Sequence, residues 1–429
     1  MELWIFGLSF FGMLLMNVPI AIGMCLSSLL YLAISGDLFM LTITAPRIFA
    51  GMNNFTMLAI PLFILSGDLL CSGKASKLLV DLANSLVGHL KAGLSTVTTL
   101  GCMFFGAVSG SGAATASAIG AVIAPESERS GYDKDFIAAI IASAGPIGIL
   151  IPPSIPMVVY GAATDTSIGA LLLSGIGPGV LFGILIILYG YWYSGKKGYG
   201  SSTKFEWSKV FTSTRKAAWA LPTPILIVGG IYSGIFTPTE AAAVAAVYSL
   251  IVGLFIYRTL KLRDLPEIFL KSSITSATIM FVVGGVVLFG WVLVREQIPQ
   301  TFTRVILDNI SSPLIFLVVT NLIILVAGML MDPSPAIILF APLLLPAVHA
   351  FGISPIFFGA LMVTNLAIGL VTPPVALTLY VAAEICQVSL SRLIKRVMPI
   401  VVLLVIGLFL VTFIPDIAMF IPRLLMGVR

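Results

Sequence analysis

Two stretches of this sequence join residue types that break helices to residue types that bind hard cations. The first is Gly106-Ala107-Val108-Ser109-Gly110-Ser111-Gly112-Ala113-Ala114-Thr115. Glycine and hydroxyl groups this dense have two uses inside a membrane. One is tight packing of helices through small residues. The other is a hairpin tip whose carbonyls and hydroxyls face a cavity, since non-helical backbone survives at membrane depth only where protein or water satisfies it. The companion stretch runs from Gly145 to Pro156, GPIGILIPPSIP, with four prolines and two glycines in 12 residues. Proline lacks an amide donor and clashes with the preceding turn, so no continuous helix passes through. One proline would make a kink; four make a break. The carbonyls freed at Gly148, Ile149 and Leu150 are oxygen ligands for a cation such as Na⁺, and discontinuous helices commonly supply them.

The second half repeats the design. Met331-Asp332-Pro333-Ser334-Pro335 forms a second tip, and Asn365 to Pro374, NLAIGLVTPP, a second break. Asp332 reads as a helix N-cap ahead of Pro333 at the first helical position. It reads equally as a cation ligand, because an intramembrane carboxylate is a functional group by default, and the two roles are compatible. Other groups carry less. Thr237-Pro238-Thr239-Glu240 is a capping box, which makes Glu240 structural. Asp68 and Glu384 fall near helix ends and face water. Asn53-Asn54 is either a cap or part of a cavity wall, and Gly284, Gly285 and Gly290 allow close helix packing.

The elements that position these groups are membrane helices. Of the 429 residues, 59% are hydrophobic and only 10% charged, against roughly 25% charged in a soluble domain. Apolar stretches of about 20 residues recur, each long enough to span a bilayer. The chain is expected to be all-α and polytopic. Its start has no basic region ahead of the apolar residues and reads as a retained span. Apolar blocks cover 3–35, interrupted at Asn17-Val18-Pro19, then 46–71, 93–125, 133–163 and 176–194. After a polar connector at 195–216 come 217–236, 239–258, 268–294, 314–349, 353–386 and 397–425. Residues 74–91 and 295–312 are amphipathic at helical period, as for helices lying along the interface.

Displaced by 221 positions, the sequence falls on itself. Pro125 meets Pro346, Gly131 meets Gly352, Gly148 meets Gly369, Ser111 meets Asp332, and Pro152-Pro153 meets Pro373-Pro374. The two amphipathic stretches also coincide. Internal repeats of this kind point to a secondary transporter. The reading is a first repeat over 1–195, with a hairpin at 93–125 and a broken helix at 133–163. A cytoplasmic connector covers 196–216. The second repeat covers 217–429, with a hairpin at 314–349 and a broken helix at 353–386. Five crossings between two re-entrant hairpins make the repeats inverted. With the connector's Lys196, Lys197, Lys204, Lys209, Arg215 and Lys216 in the cytoplasm, basic residues divide 18 inside to 5 outside, as the positive-inside rule requires.

Composition also excludes functions. The net charge of +5 is spread over gaps between apolar runs, not gathered as a nucleic-acid surface. Only His89 and His349 offer imidazole, and Cys25, Cys71, Cys102 and Cys386 lack metal-ligand spacing or a disulfide framework. No GxSxG, HExxH or P-loop lysine motif is present, so neither hydrolase chemistry nor ATP hydrolysis is expected, and the chain is not read as an enzyme.

The stretches GAVSGSGAATASA (Gly106–Ala118), GPIGILIPPSIP (Gly145–Pro156), TPTEAAA (Thr237–Ala243), Gly328–Pro346 and NLAIGLVTPP (Asn365–Pro374) together resemble the large membrane subunit of the tripartite ATP-independent periplasmic (TRAP) transporters. The resemblance covers the whole chain. It implies an elevator-type transporter in a bacterial inner membrane, with Na⁺ as coupling ion and no other cofactor. It also implies two partners, a small four-helix membrane subunit and a soluble periplasmic substrate-binding protein. The substrate class is an organic acid, a C4-dicarboxylate or a sialic acid; the residues do not decide between them, and the resemblance leans to the sialic-acid type. By the same resemblance the cation sites fall on Ser109, Ser111, Gly148 and Pro153 in one repeat and on Asp332, Gly369 and Thr372 in the other. Ser154, Ser334, Thr115 and Asn365 are the expected substrate contacts. The alternative is a divalent-anion/Na⁺ symporter of related fold that works without a binding protein.

Overall fold

The computed structural model describes residues 2–16, 18–36, 38–71, 75–199 and 205–428. Asn17, Lys74, Lys204 and Arg429, used in the sequence reading, lie outside them. Every regular element among the described residues is helical. Six helices are long and apolar enough to cross a bilayer, and a bent pair makes a seventh if taken as one span.

A pair of helices with a short turn stands at each place where a hairpin is expected. The first consists of Gly93–Ser109 and Gly112–Arg129, the second of Pro313–Leu330 and Pro333–Ala350, each pair joined by two residues. Both broken helices form as well. Lys134–Ala144 tightens into a 3₁₀ turn over Gly145–Ile149, and Ile155–Thr164 resumes the course; Pro355–Gly369 stops and Leu377–Cys386 resumes. The Pro152-Pro153 and Pro373-Pro374 bonds are both cis. The first segments of the broken helices are the most enclosed part of the molecule, buried without interruption over 136–150 and 357–372.

The two halves interlock. Helix Ala59–Cys71 packs along Pro238–Ile251, and the long helix Leu265–Arg295 packs on Ile20–Ile34, Thr44–Met52 and Ala59–Cys71. Buried hydroxyls tie this scaffold: Ser66 Oγ lies 3.0 Å from Ser249 Oγ, and Thr239 Oγ1 donates to the Phe55 carbonyl at 3.0 Å. Asp68 is not simply a water-facing acid. Its carboxylate accepts Ser272 Oγ at 2.7 Å and Lys271 Nζ at 3.2 Å, pinning first-half to second-half helices. Glu384 is exposed. Around the hairpins, Ile176–Lys197 and Leu390–Phe413 pack against the first broken helix. Arg396 bridges to Asp133 at 2.6 Å beside the Tyr193 ring, which stacks on Phe136 at 4.2 Å.

Several boundaries differ from the sequence reading. The block 46–71 is bent by 54° after Met52, because Asn54 caps the next turn by accepting the Thr56 amide at 2.9 Å. The connector is not wholly irregular: Trp207–Ala217 is a helix packed on Ala75–Val87, with Trp207 and Phe211 exposed. The last block is two helices, Leu390–Phe413 and Asp416–Met426. Gly284 and Gly285 do meet neighbouring helices, whereas a Cβ added at Gly290 would touch nothing within 4 Å, so Gly290 is not a packing glycine.

Candidate functional site

The first hairpin turns at Gly110, which takes the left-handed conformation (φ +65°) at the C-terminus of Gly93–Ser109. Glycine adopts that backbone without steric cost. Ser111 then caps the exit limb, accepting the Ala114 amide at 3.4 Å. Beneath the turn lies a hydroxyl cluster: Ser109 Oγ is 2.9 Å from Thr115 Oγ1, and Thr115 Oγ1 donates to the Ser111 carbonyl at 2.7 Å. Thr115 is thus an internal strut of the tip.

The tip sits directly on the first break. A Cβ added at Gly106 would lie 2.6 Å from Gly148 Cα. One added at Gly148 would lie 2.4 Å from Thr115 Oγ1 and 2.9 Å from the Ser111 carbonyl oxygen. One added at Gly110 would lie 2.7 Å from the Pro153 carbonyl oxygen. Only backbone fits at these three crossings, so the structure gathers Ser109, Ser111, Gly148 and Pro153 around one point. The oxygens there belong to hydroxyls and carbonyls, a donor set suited to a hard monovalent cation and lacking any thiolate or imidazole. Ser154 has another task. It caps Ile155–Thr164 by accepting the Met157 amide at 3.3 Å while donating to the Ile149 carbonyl at 2.5 Å. Fully buried, with its hydroxyl used on both sides, it is not placed as a substrate contact.

The second tip is built differently. Gly369 presses on Gly328, whose carbonyl carbon and oxygen would both lie 2.5 Å from an added Cβ. The Val375 amide donates to the Met329 carbonyl at 3.1 Å, a second tie between break and hairpin. Thr372 is buried and its hydroxyl donates to the Ile368 carbonyl at 2.7 Å, leaving the hydroxyl oxygen's lone pairs free. Asp332 occupies the N-cap position before Pro333, as read from the sequence, but its side chain caps nothing. Among the described residues its carboxylate has no hydrogen-bond or ion-pair partner.

Asp332 instead faces a cavity of about 430 Å³ shared by both tips. Gly110, Ser111, Gly112 and Ala113 border it from the first hairpin, and Pro333, Ser334 and Pro335 from the second. Ser334 is the expected substrate residue that does reach the cavity. Asn365 does not: it is wholly buried behind the break, and its amide nitrogen bonds Asn321. The two tips offer unequal chemistry. The first-turn amides of Gly112 and Ala113 have no intrahelical partner and lie at the positive end of an 18-residue helix. Pro333 and Pro335 have no amide at all, and the Ala336 amide already donates to the Asp332 carbonyl at 3.2 Å. On the cavity side the first tip therefore offers two amide donors to an anion, whereas the second sets the Asp332 carboxylate beside the one remaining first-turn amide, that of Ser334. Among the described residues, none that lines the cavity is basic.

Sequence reasoning missed the scaffold's share of this wall. Thr275 and Thr278 line it from Leu265–Arg295. The signal is the run of hydroxyls from Ser272 to Thr278 inside an apolar span. Gly328, the backbone partner of Gly369, was legible only as part of a motif.

A family model described as the tripartite ATP-independent periplasmic transporter, DctM component, matches residues 8–417. A C4-dicarboxylate TRAP transporter large permease protein, DctM, from Pseudomonas aeruginosa is 42% identical over 379 residues, 88% of this chain and 89% of that protein. A sialic acid TRAP transporter large permease protein, SiaM, from Vibrio cholerae is 36% identical over 423 residues, 99% and 98% of the two chains. These relatives are named as permeases and not as enzymes. The solved structure of Neisseria gonorrhoeae MtrF, described as one of a class of antimetabolite efflux pumps, aligns with TM-score 0.62 over 88% of this chain and 84% of that one. At 14% identity that likeness is one of fold.

Proposed function

Since the chain belongs to the DctM component family of the tripartite ATP-independent periplasmic transporters, we propose that it takes up a small organic acid across a bacterial inner membrane, driven by Na⁺. A small membrane subunit and a periplasmic substrate-binding protein complete the assembly. The observation that carries the reading is the doubled crossing of hairpin tip and broken helix, with an unpartnered Asp332 on the cavity between the tips. Na⁺ sits at each crossing, held by Ser109, Ser111, Gly148 and Pro153 on one side and by Asp332, Gly369 and Thr372 on the other. An ion at the second crossing neutralises Asp332 and makes the cavity acceptable to a carboxylate. The substrate's anionic end then lies against the Gly112 and Ala113 amides, where the helix terminus stabilises negative charge. No arginine takes part.

Transport follows an elevator scheme in which the hairpins and broken helices move as one body against the scaffold. The Thr275 and Thr278 face belongs to the fixed wall. The relative named for C4-dicarboxylates is more similar, at 42%, than the one named for sialic acid, at 36%. That ordering favours a C4-dicarboxylate-sized acid over the sialic-acid leaning of the sequence reading.

The test is uptake into proteoliposomes carrying both membrane subunits, with the binding protein outside. Wild type is expected to require an inward Na⁺ gradient, and Asp332→Ala to lose Na⁺-dependent uptake. Normal Na⁺-dependent uptake by Asp332→Ala would overturn the assignment. Robust uptake without any binding protein would replace the tripartite reading by that of a self-sufficient symporter.

A further inference from the structure

Seven residues before Gly328 on the hairpin's entry limb is Asn321, and four before Gly369 on the broken helix is Asn365. These spacings, two turns and one turn, put each asparagine on the same face of its helix as the glycine it precedes. The pair therefore lies directly behind the Gly328–Gly369 crossing. Asn365 Nδ2 donates to the Asn321 carbonyl at 2.7 Å and to Asn321 Oδ1 at 3.1 Å. Asn321 Nδ2 donates in turn to Thr412 Oγ1 at 2.9 Å, and Thr412 Oγ1 to the Leu408 carbonyl at 2.8 Å. The chain of bonds links the second hairpin, the second broken helix and Leu390–Phe413, with all three side chains at 2% exposure or less.

Asn365 Oδ1 is enclosed and has no hydrogen-bond partner among the described residues. Turning the amide over would set oxygen against both Asn321 oxygens, so the orientation is dictated by the partners. An enclosed, unsatisfied carbonyl is costly, and an apolar pair would pack these helices without that cost. In the first repeat, Leu100 and Ala144 stand 221 residues earlier, so neither position carries an amide side chain. The first tip is instead held by its own Ser109–Thr115 hydroxyl pair. Among the described residues, the second tip has no side-chain hydrogen bond at Asp332 or Ser334.

We propose that Asn321, Asn365 and Thr412 form a positioning node that fixes the second hairpin against its broken helix and so sets the Na⁺ affinity of the second site. The three residues touch neither ion nor substrate. They hold Gly328 and Gly369 at the separation from which Asp332, Gly369 and Thr372 converge on one cation. Na⁺ affinity at the first site does not depend on them. This rests on the ion-coupled reading above.

The experiment measures uptake by the full assembly in proteoliposomes as a function of Na⁺ and, separately, of substrate-loaded binding protein at saturating Na⁺. Thr412→Val removes the hydroxyl at nearly constant shape. Its Na⁺ half-saturation is expected to rise about three- to tenfold, the effect of losing one buried hydrogen bond. Half-saturation for loaded binding protein stays within about twofold. Thr412→Ser, which keeps the hydroxyl, tracks wild type. So does Thr320→Val, whose buried hydroxyl bonds only the Phe316 carbonyl of its own helix. Asn365→Ala gives the larger shift; where it fails to assemble, the Thr412 pair still decides. An unchanged Na⁺ half-saturation in Thr412→Val, or an equal shift in Thr320→Val, overturns the node while leaving the ion reading intact. A wild type indifferent to Na⁺ overturns both.

Discussion

Replacing Gly369 by alanine tests the second crossing by geometry alone. The added methyl would stand 2.5 Å from both the carbonyl carbon and the carbonyl oxygen of Gly328, and 2.7 Å from its Cα. Ordinary contacts between such atoms fall near 3.5–4.0 Å, so the two backbones must separate by about 1 Å. Neither neighbour is the yielding end of a side chain. Overpacking of this kind costs about 1–3 kcal/mol. Its effect on an ion site is sharper, because metal–ligand distances are held to about ±0.2 Å. Gly369→Ala should therefore lower Na⁺-dependent uptake at least tenfold, roughly the consequence of 1.4 kcal/mol, and lower the melting temperature only by a few degrees. Gly290→Ala is the matched control, since its methyl meets nothing within 4 Å; it should transport like wild type. Paired proteoliposome assays at equal reconstituted protein decide the matter. A Gly369→Ala variant with wild-type Na⁺ dependence would refute the claim that this crossing holds the ion.

Other outcomes follow from the same geometry. Ser154→Ala strips the cap from Ile155–Thr164 and leaves the Ile149 carbonyl without its 2.5 Å partner; it should destabilise the protein by about 1–2 kcal/mol, read as a lower melting temperature with unchanged substrate preference. Asp133→Asn leaves Arg396 against Tyr193 without its carboxylate. The pair is about one-third exposed, so a loss of about 1–2 kcal/mol is expected, and Arg396→Lys should also destabilise, because a lysine ammonium does not reproduce the guanidinium's contact with the Tyr193 ring. Ser109→Ala removes the 2.9 Å bond to Thr115 and should weaken Na⁺ activation without abolishing expression, measured as half-saturation for Na⁺.

The site's outline was legible because its signals are local. A tip of the Ser109-Gly110-Ser111-Gly112 kind and a break with four prolines announce themselves whatever the rest of the chain does, and the displacement by 221 paired them. Asp332 stood out because carboxylates are rare inside apolar spans. What stayed hidden depends on rotation and on distant partners. Nothing local says that Asn365 turns inward to Asn321 while Ser334 turns to the cavity, since both are polar residues beside a Gly/Pro motif. Ser154 looks like a ligand until the Ile149 carbonyl is found within its reach. Asp68 meets Ser272 across 204 residues of sequence. The Trp207–Ala217 helix was lost in a polar connector because one amphipathic face in 11 residues is a weak signal. The bend at Asn53-Asn54 needs the Asn54 cap to be seen, since the apolar run continues unbroken on both sides.

The central claim, that the crossings of tip and break are cation sites, meets its most direct test in a Na⁺ titration of the purified large subunit followed by thermal melting. Na⁺ at about 100 times its dissociation constant stabilises a one-site protein by roughly 2.7 kcal/mol. Wild type should melt higher in NaCl than in choline chloride of equal ionic strength, and Asp332→Ala should keep only the part of that gain due to the first site. Identical melting in the two salts, or a full Na⁺-specific gain in Asp332→Ala, would contradict the account.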